Sequence, residues 1–257
     1  EGSMPAANID DVLRILDGII AGCKAKSDPL GYFPALYRQV TLTVKQGIAS
    51  GSFEDGPRME RFDALFASRY LAAYDAWTSG GKPTQSWQVA FQGMQSGRLI
   101  ILQDLLVGIN AHINLDLGVV AGETFQGAAL AGFHDDFDKI NQILSGLLPK
   151  VEATVCEFSP LLGLLAKIGG KDAIEVLDFS MDAARDDSWM HANLLSLLPP
   201  SAWTMAVQTI DAKVAFLGKV VAQPAGLVRQ AVRMIRDTES KDVPAIIDAL
   251  DSIVPGD

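Results

Sequence analysis

Residues 98–123 read RLIILQDLLVGINAHINLDLGVVAGE, the most apolar long stretch of the chain. It is too long for one strand, and Leu102, Leu105, Leu106, Ile109, Ile113, Leu117 and Val120 recur at helical spacing. Apolar residues also spill onto the other faces, as in a helix buried on most sides. Carboxylates, a histidine and several amides interrupt the run, so it reads as a core helix and not a membrane span. Those polar residues fall into two stripes. Gln103, Asn110 and Asn114 share one side, while His112 and Asp116 lie nearly opposite with Asp104 beside them. A buried amide or carboxylate without a partner costs about 1–3 kcal/mol. The stripes therefore require partners, a function or both.

Outward from this stretch, helical periodicity continues in both directions. Ile9, Val12, Leu13, Leu16, Ile19 and Ile20 mark a first helix, with Asp10 and Asp11 in its first turn and Lys24 and Lys26 in its last. A second helix runs from Phe33 to Ile48, and Gly56-Pro57 opens a third that Gly80-Gly81 closes. A shorter one spans Thr84 to Gln95. Downstream, Phe133, Phe137, Ile140, Leu144 and Leu147 form another stripe, and Pro149 and Pro160 predict a kink or breaks before a short helix at 161–168. Gly169-Gly170 reads as a stop, followed by a long helix from Asp172 to Leu198 and three more over 201–222, 225–237 and 243–254. No strand alternation and no internal repeat is visible. The reading is all-α: a single helical-bundle-like domain packed around a central buried helix at about 98–121. Its core is 4–222, and 223–257 form a C-terminal helical appendage on the same domain.

The chain has 257 residues, 49% of them apolar, which suffices for a sizeable core. Its formal net charge of -10, with no run of Lys or Arg, argues against nucleic acid and anionic membrane as partners. Cys23 and Cys156 are isolated and carry neither metal nor redox spacing. Glu-Gly-Ser before Met4 has the look of a tag-cleavage scar, and no signal peptide is visible, so the expected setting is cytoplasmic. The oligomeric state is not legible.

The chain's three histidines, His112, His134 and His191, each have an aspartate one helical turn away: Asp116, Asp138 and Asp187. Helical bundles build metal sites by converging such pairs. A set of His112, Asp116, His134 and Asp138 would suit zinc, iron or manganese. Asp104, Asn114, Asp187, His191 and Arg185 are further candidates. Against this stands the plainer reading, in which each pair is a solvated surface contact, since no Glu-x-x-His or His-Glu-x-x-His signature is present. Asn110 and Asn114 read as helix-to-helix hydrogen-bonding residues, Asp63 with Arg69 as an ion pair, and Gly108, Gly118 and Gly122 as sites of close packing. The four tryptophans read as core.

Four segments, LQDLLVGINAHINLDLG (102–118), GPRMERFDALFASRYLAAY (56–74), DFDKIN (136–141) and the Arg185 to Trp189 region, resemble a bacterial family of helical proteins without assigned function. The resemblance covers roughly residues 30–200 and places His112, Asn114 and Asp116 in the family's signature stretch. It implies a fold and no activity. The expectation is an enzyme acting on a small, largely apolar molecule, with His112 and Asp116 as its catalytic centre. It would work either with a divalent metal, as a hydrolase or oxidase, or without one, by proton transfer as in a lyase, cyclase or isomerase. The rival expectation is a non-catalytic module that binds a hydrophobic ligand or a partner helix.

Overall fold

Asn8 accepts a hydrogen bond from the Asp11 amide and opens α1 (Ile9–Lys26). Ser27, at φ +51°, turns the chain out of it. The computed structural model describes residues 6–163, 165 and 181–253, and among these there is no strand. A 3₁₀ turn at Pro29–Gly31 leads into α2 (Tyr32–Ala49). The Asp55 side chain caps α3 (Gly56–Thr78), with Pro57 in its first turn, and α4 (Gln85–Gln95) follows. These starts and stops are local, set by cap residues and by proline where no amide is needed.

The central helix begins at Ile101, since Ile100 is still extended at ψ 161°. It runs to Thr124 in three parts: α5 (Ile101–Ile109), a π-helix over Asn110–Leu117, and α6 (Gly118–Thr124). In a π-helix each amide bonds five residues back instead of four, a rare arrangement that is frequent at functional sites. Here it coincides with NAHINLDL, and all eight of its residues are buried. By length and composition the whole run could cross a bilayer, yet 94% of its most apolar window is covered by protein. It is the core helix of the fold.

A short α7 (Ala128–Ala131) precedes α8 (His134–Phe158). The expected break at Pro149 does not occur, because the prolyl residue sits inside α8 on an exposed face. Losing one backbone bond there is offset by the buried stripe Phe137, Ile140, Leu147, Val151 and Val155. The short helix and Gly169-Gly170 stop expected at 161–170, and the first turns of the helix from Asp172, fall wholly or largely outside the described residues. The chain continues with α9 (Met181–Leu197), α10 (Pro200–Ala222), α11 (Gly226–Thr238) and α12 (Val243–Asp251). Val228, Val232, Ile235, Ile246 and Ile247 join the same core cluster as the central helix.

Two glycines set how closely α9 approaches the central helix. A Cβ on Gly118 would lie 2.6 Å from the Ser188 carbonyl oxygen, and one on Gly122 would lie 2.7 Å from Leu195 Cβ. The close-packing role expected for both is what the structure contains. The amide stripe is explained in the same way. Gln103 donates to the Val221 carbonyl and Asn110 to the Val214 carbonyl, both on α10, while Asn114 donates to Asn110 Oδ1.

Gly118→Ala should therefore destabilise the protein by about 1–3 kcal/mol, through a clash with backbone that cannot yield. Gly18→Ala, in α1 with nothing within 4 Å of the added carbon, should instead stabilise by roughly 0.5–1 kcal/mol. Urea unfolding of the two variants checks the pair, and equal effects would show that the α9 contact is not tight.

Candidate functional site

The π segment projects His112 and Asp116 away from α10, toward α2, α3 and α4. Asp116 is 1% exposed and is ringed by donors from three elements. Arg69 Nε of α3 donates to Oδ1 at 2.9 Å, Trp87 Nε1 of α4 donates to Oδ2 at 2.8 Å, and His112 Nδ1 lies 3.4 Å from the same Oδ2. Burial alone would raise this carboxyl, but the His112 contact and the Arg69 charge outweigh it and hold Asp116 below its ordinary value. A buried carboxylate is tolerable only with such a set of partners.

His112 is 3% exposed and lies in an aromatic nest. Its ring stacks on Phe66 at 3.8 Å and 9°, with Tyr37 edge-on at 4.5 Å and Phe33 at 5.6 Å. Burial, helped by the Arg69 charge, pushes the imidazole below its ordinary value against the pull of Asp116, so the ring is neutral near pH 7. With Nδ1 turned to a carboxylate, the proton of a neutral ring belongs on Nδ1 and Nε2 carries the lone pair. Nε2 has no hydrogen-bond partner.

The ring borders an apolar cavity of about 50 Å³ between α2, α3, the central helix and α8. Its walls are apolar: Leu36, Val40, Val44, Ile140, Leu144 and Leu147 among others. Among the described residues three polar side chains line it, those of Tyr37, Asp63 and His112, and each has a buried atom without a hydrogen bond of good geometry: Tyr37 Oη, Asp63 Oδ2 and His112 Nε2. The Thr41 hydroxyl, one turn from Tyr37, donates to the Tyr37 carbonyl and also lies close enough to the phenol to draw it down slightly against burial. Burial raises Asp63 to about 7 and Tyr37 well above the ordinary phenol range, so both hold their protons in neutral to mildly acidic solution. Buried polar atoms are nearly always bonded, so three such atoms around one cavity make it the candidate place for a polar atom of a ligand.

Several sequence expectations are corrected here. His134 and Asp138 do pair, at 3.4 Å, but their side chains are 45% and 49% exposed, and the His134 ring packs on Trp189. They stand on the outer face of α8, while Ile140, Leu144 and Leu147 supply its cavity face. Among the described residues no three of His, Cys, Asp and Glu come together to hold a metal ion, so the expected set of His112, Asp116, His134 and Asp138 is not assembled. Asp187 pairs with Lys213, while His191 Nδ1 donates to the Asn114 carbonyl at 3.2 Å, so that pair points two ways. Asp104 is buried near Glu239 and Lys241 at the start of the central helix, not beside Asp116. Arg185 is buried within α9 and lines none of the His112 cavity. Arg69 pairs with Asp116 and leaves Asp63 alone, the reverse of the expected ion pair.

Sequence reasoning missed three members of the site. Trp87 reads as core and is core, but its indole N–H is committed to Asp116. Tyr37 lies within an apolar stripe, and Asp63 has an arginine nearby in sequence that misdirects its pairing. A lone Asp among Phe62, Ala64 and Phe66 was the available signal.

Asp63 gives a test by pH. A carboxyl raised from 3.8 to about 7 by burial adds stability while it stays protonated, fully below about 4, and loses it as pH rises through about 7. The loss is on the order of 4 kcal/mol. Asp63→Asn keeps a neutral polar group, so its melting temperature should match wild type near pH 4.5 and exceed it increasingly up to pH 8. A difference that does not change with pH would mean that Asp63 is ionised throughout.

No curated protein and no solved structure matches this chain. One family model does, over residues 9–224, a range that includes α2, α3, α4, the π segment and α8, and so every residue of the site. The chain belongs to the family described as "Family of unknown function (DUF5995)".

Proposed function

We propose that this protein is a proton-transfer enzyme acting on a small, largely apolar molecule, with His112 as its base. The observation that carries this is the pairing of roles on one buried ring. Nδ1 is turned to the charged Asp116, and Nε2 has no partner while the ring borders an apolar cavity. An imidazole so held is fixed in tautomer and orientation, and its aqueous competitors are largely removed. In this scheme Asp116 does not reach the substrate. It positions the ring and stabilises the imidazolium that forms when Nε2 takes a proton, while Arg69 and Trp87 keep Asp116 charged and still. The site as built from this chain needs no bound metal to do so, and isomerase, lyase and cyclase chemistry all begin with such a step. The free thiols of Cys23 and Cys156 suit a reducing, cytoplasmic setting.

Nitroethane is a test substrate that demands only a base, since its carbon acid is weakly held and its anion absorbs in the ultraviolet. Wild-type protein should speed its deprotonation well above buffer, with a rate that climbs with pH through a titration below 6.5. His112→Gln should abolish the acceleration. Asp116→Asn, which leaves the ring unoriented, should reduce it by about 10²-fold or more. Melting curves identify any variant that has lost its fold. Equal rates for folded wild type and folded His112→Gln would remove the catalytic reading and leave the cavity as a binding site for an apolar ligand.

A further inference from the structure

The cavity offers more than a base. Two of its three orphan atoms belong to groups that hold a hydrogen: the Tyr37 phenol and the Asp63 carboxyl. Neither atom makes a hydrogen bond of good geometry within the protein, and apart from the Thr41 hydroxyl near Tyr37 and the His112 ring the described residues around the cavity are apolar. Tyr37 comes from α2, Asp63 from α3 and His112 from the π segment, so three separate elements bring one acceptor and two donors to the same small space. Arg69, the nearest cation in the site, is held by Asp116 and is not in the cavity wall.

We propose that the substrate is a small enolisable carbonyl compound, its oxygen accepting hydrogen bonds from Tyr37 Oη–H and from the Asp63 carboxyl while its α-carbon lies against His112 Nε2. The identity of the reacting carbon rests on the reading of His112 as a base, whereas the placing of the oxygen does not. Three arguments select a carbonyl. Its oxygen has two lone pairs for two donors and no hydrogen of its own. An alcohol would direct its own O–H to His112 Nε2 and so occupy the base. A carboxylate would enter a cavity with no cation in its wall, at a high cost in desolvation. The cavity, at about 50 Å³, limits the molecule to a short chain or small ring unless the α8 leucines move aside.

The step balances without any further reactant. His112 Nε2 takes the α-hydrogen as a proton, and the C–H electron pair becomes the C=C bond of the enolate. The carbonyl π pair moves onto oxygen, where the two O–H donors meet the charge as it develops. This is stabilisation by preorganised donors in a dry site, with a protonated carboxylic acid as one of them. Return of the proton to the α-carbon completes an exchange, and where the enolate is conjugated with a C=C bond, its delivery to the far γ-carbon completes an isomerisation.

The probe is butanone labelled with ¹³C at its carbonyl, titrated at pH 6 into wild type, Tyr37→Phe and Asp63→Leu, with 2-butanol as competitor. Neither Tyr37 Oη nor Asp63 Oδ2 makes a hydrogen bond of good geometry within the protein, so melting curves should show both variants folded. In wild type the bound carbonyl resonance should move to lower field than in water. Each variant should shift it back toward the high-field position of a ketone in hydrocarbon and weaken binding about three- to tenfold. No saturable binding, a resonance at high field in wild type, a resonance unmoved by both substitutions, or tighter binding of 2-butanol would each overturn the proposal. Deuterium uptake at the α-carbons, followed in the same samples in D₂O, separates the two readings. A low-field resonance without uptake keeps the oxygen site and removes His112 as base. Uptake with a resonance that ignores Tyr37 and Asp63 does the reverse.

Discussion

A single negative charge, on Asp116, sits in the middle of this helical protein and dictates much of what surrounds it. An ionised carboxylate removed from water costs several kcal/mol unless nearly every lone pair is met. Here the demand is met by Arg69 on α3, Trp87 on α4 and His112 on the same helix, so one group fixes the mutual positions of three elements. The tolerance runs the other way too. With Asp116 charged and satisfied, the imidazole beside it is pinned, and its second nitrogen is left over in an apolar space.

The central helix that carries this charge is held by distant parts of the chain. Its first free amide, at Ile101, is met by both carboxylate oxygens of Glu239, which follows α11, and Ser159 donates to the same carboxylate. The first amides of α4 are met by Asp211 of α10, at 2.7 and 2.9 Å. Asp136 of α8 accepts from the Glu54 amide and from Arg58, tying α8 to the start of α3. Helix N-termini carry unsatisfied donors and a partial positive charge, so an acidic side chain is a natural cap even from a remote position. These caps also draw several aspartates and glutamates of an acidic chain into the interior, where they serve helix starts.

Most of the architecture was legible beforehand because apolar periodicity and cap chemistry are local. The helices over 9–26, 32–49, 56–78 and 85–95 start and stop where Asn8, Asp28, Asp55-Gly56-Pro57 and Gly80 stand. The amide stripe reads correctly for Asn110, which with Gln103 reaches a carbonyl of α10, whereas Asn114 bonds only to Asn110 on its own helix. The site was less legible. His112 and Asp116 could be paired from their spacing, but the other two His/Asp pairs have the same spacing and opposite surroundings: one lies on an exposed face, and the other is split between Lys213 and the Asn114 carbonyl. Spacing gives proximity along one helix and says nothing of which way that face points in the fold.

By itself the sequence determined the all-helical class, the buried central helix, the close-packing glycines at 118 and 122, and the pairing of His112 with Asp116. Each follows from a pattern within a few turns of chain, where residue type and period fix the energetics. Only the tertiary structure decided that Arg69 serves Asp116 and not Asp63, that Trp87 completes the ring of donors, and that Asp104 lies elsewhere. It also decided that Tyr37 and Asp63 meet His112 across one cavity, and that NAHINLDL winds as a π-helix. These depend on how helices far apart in the chain cross, and therefore on which buried charges find partners and which polar atoms are left beside an apolar space.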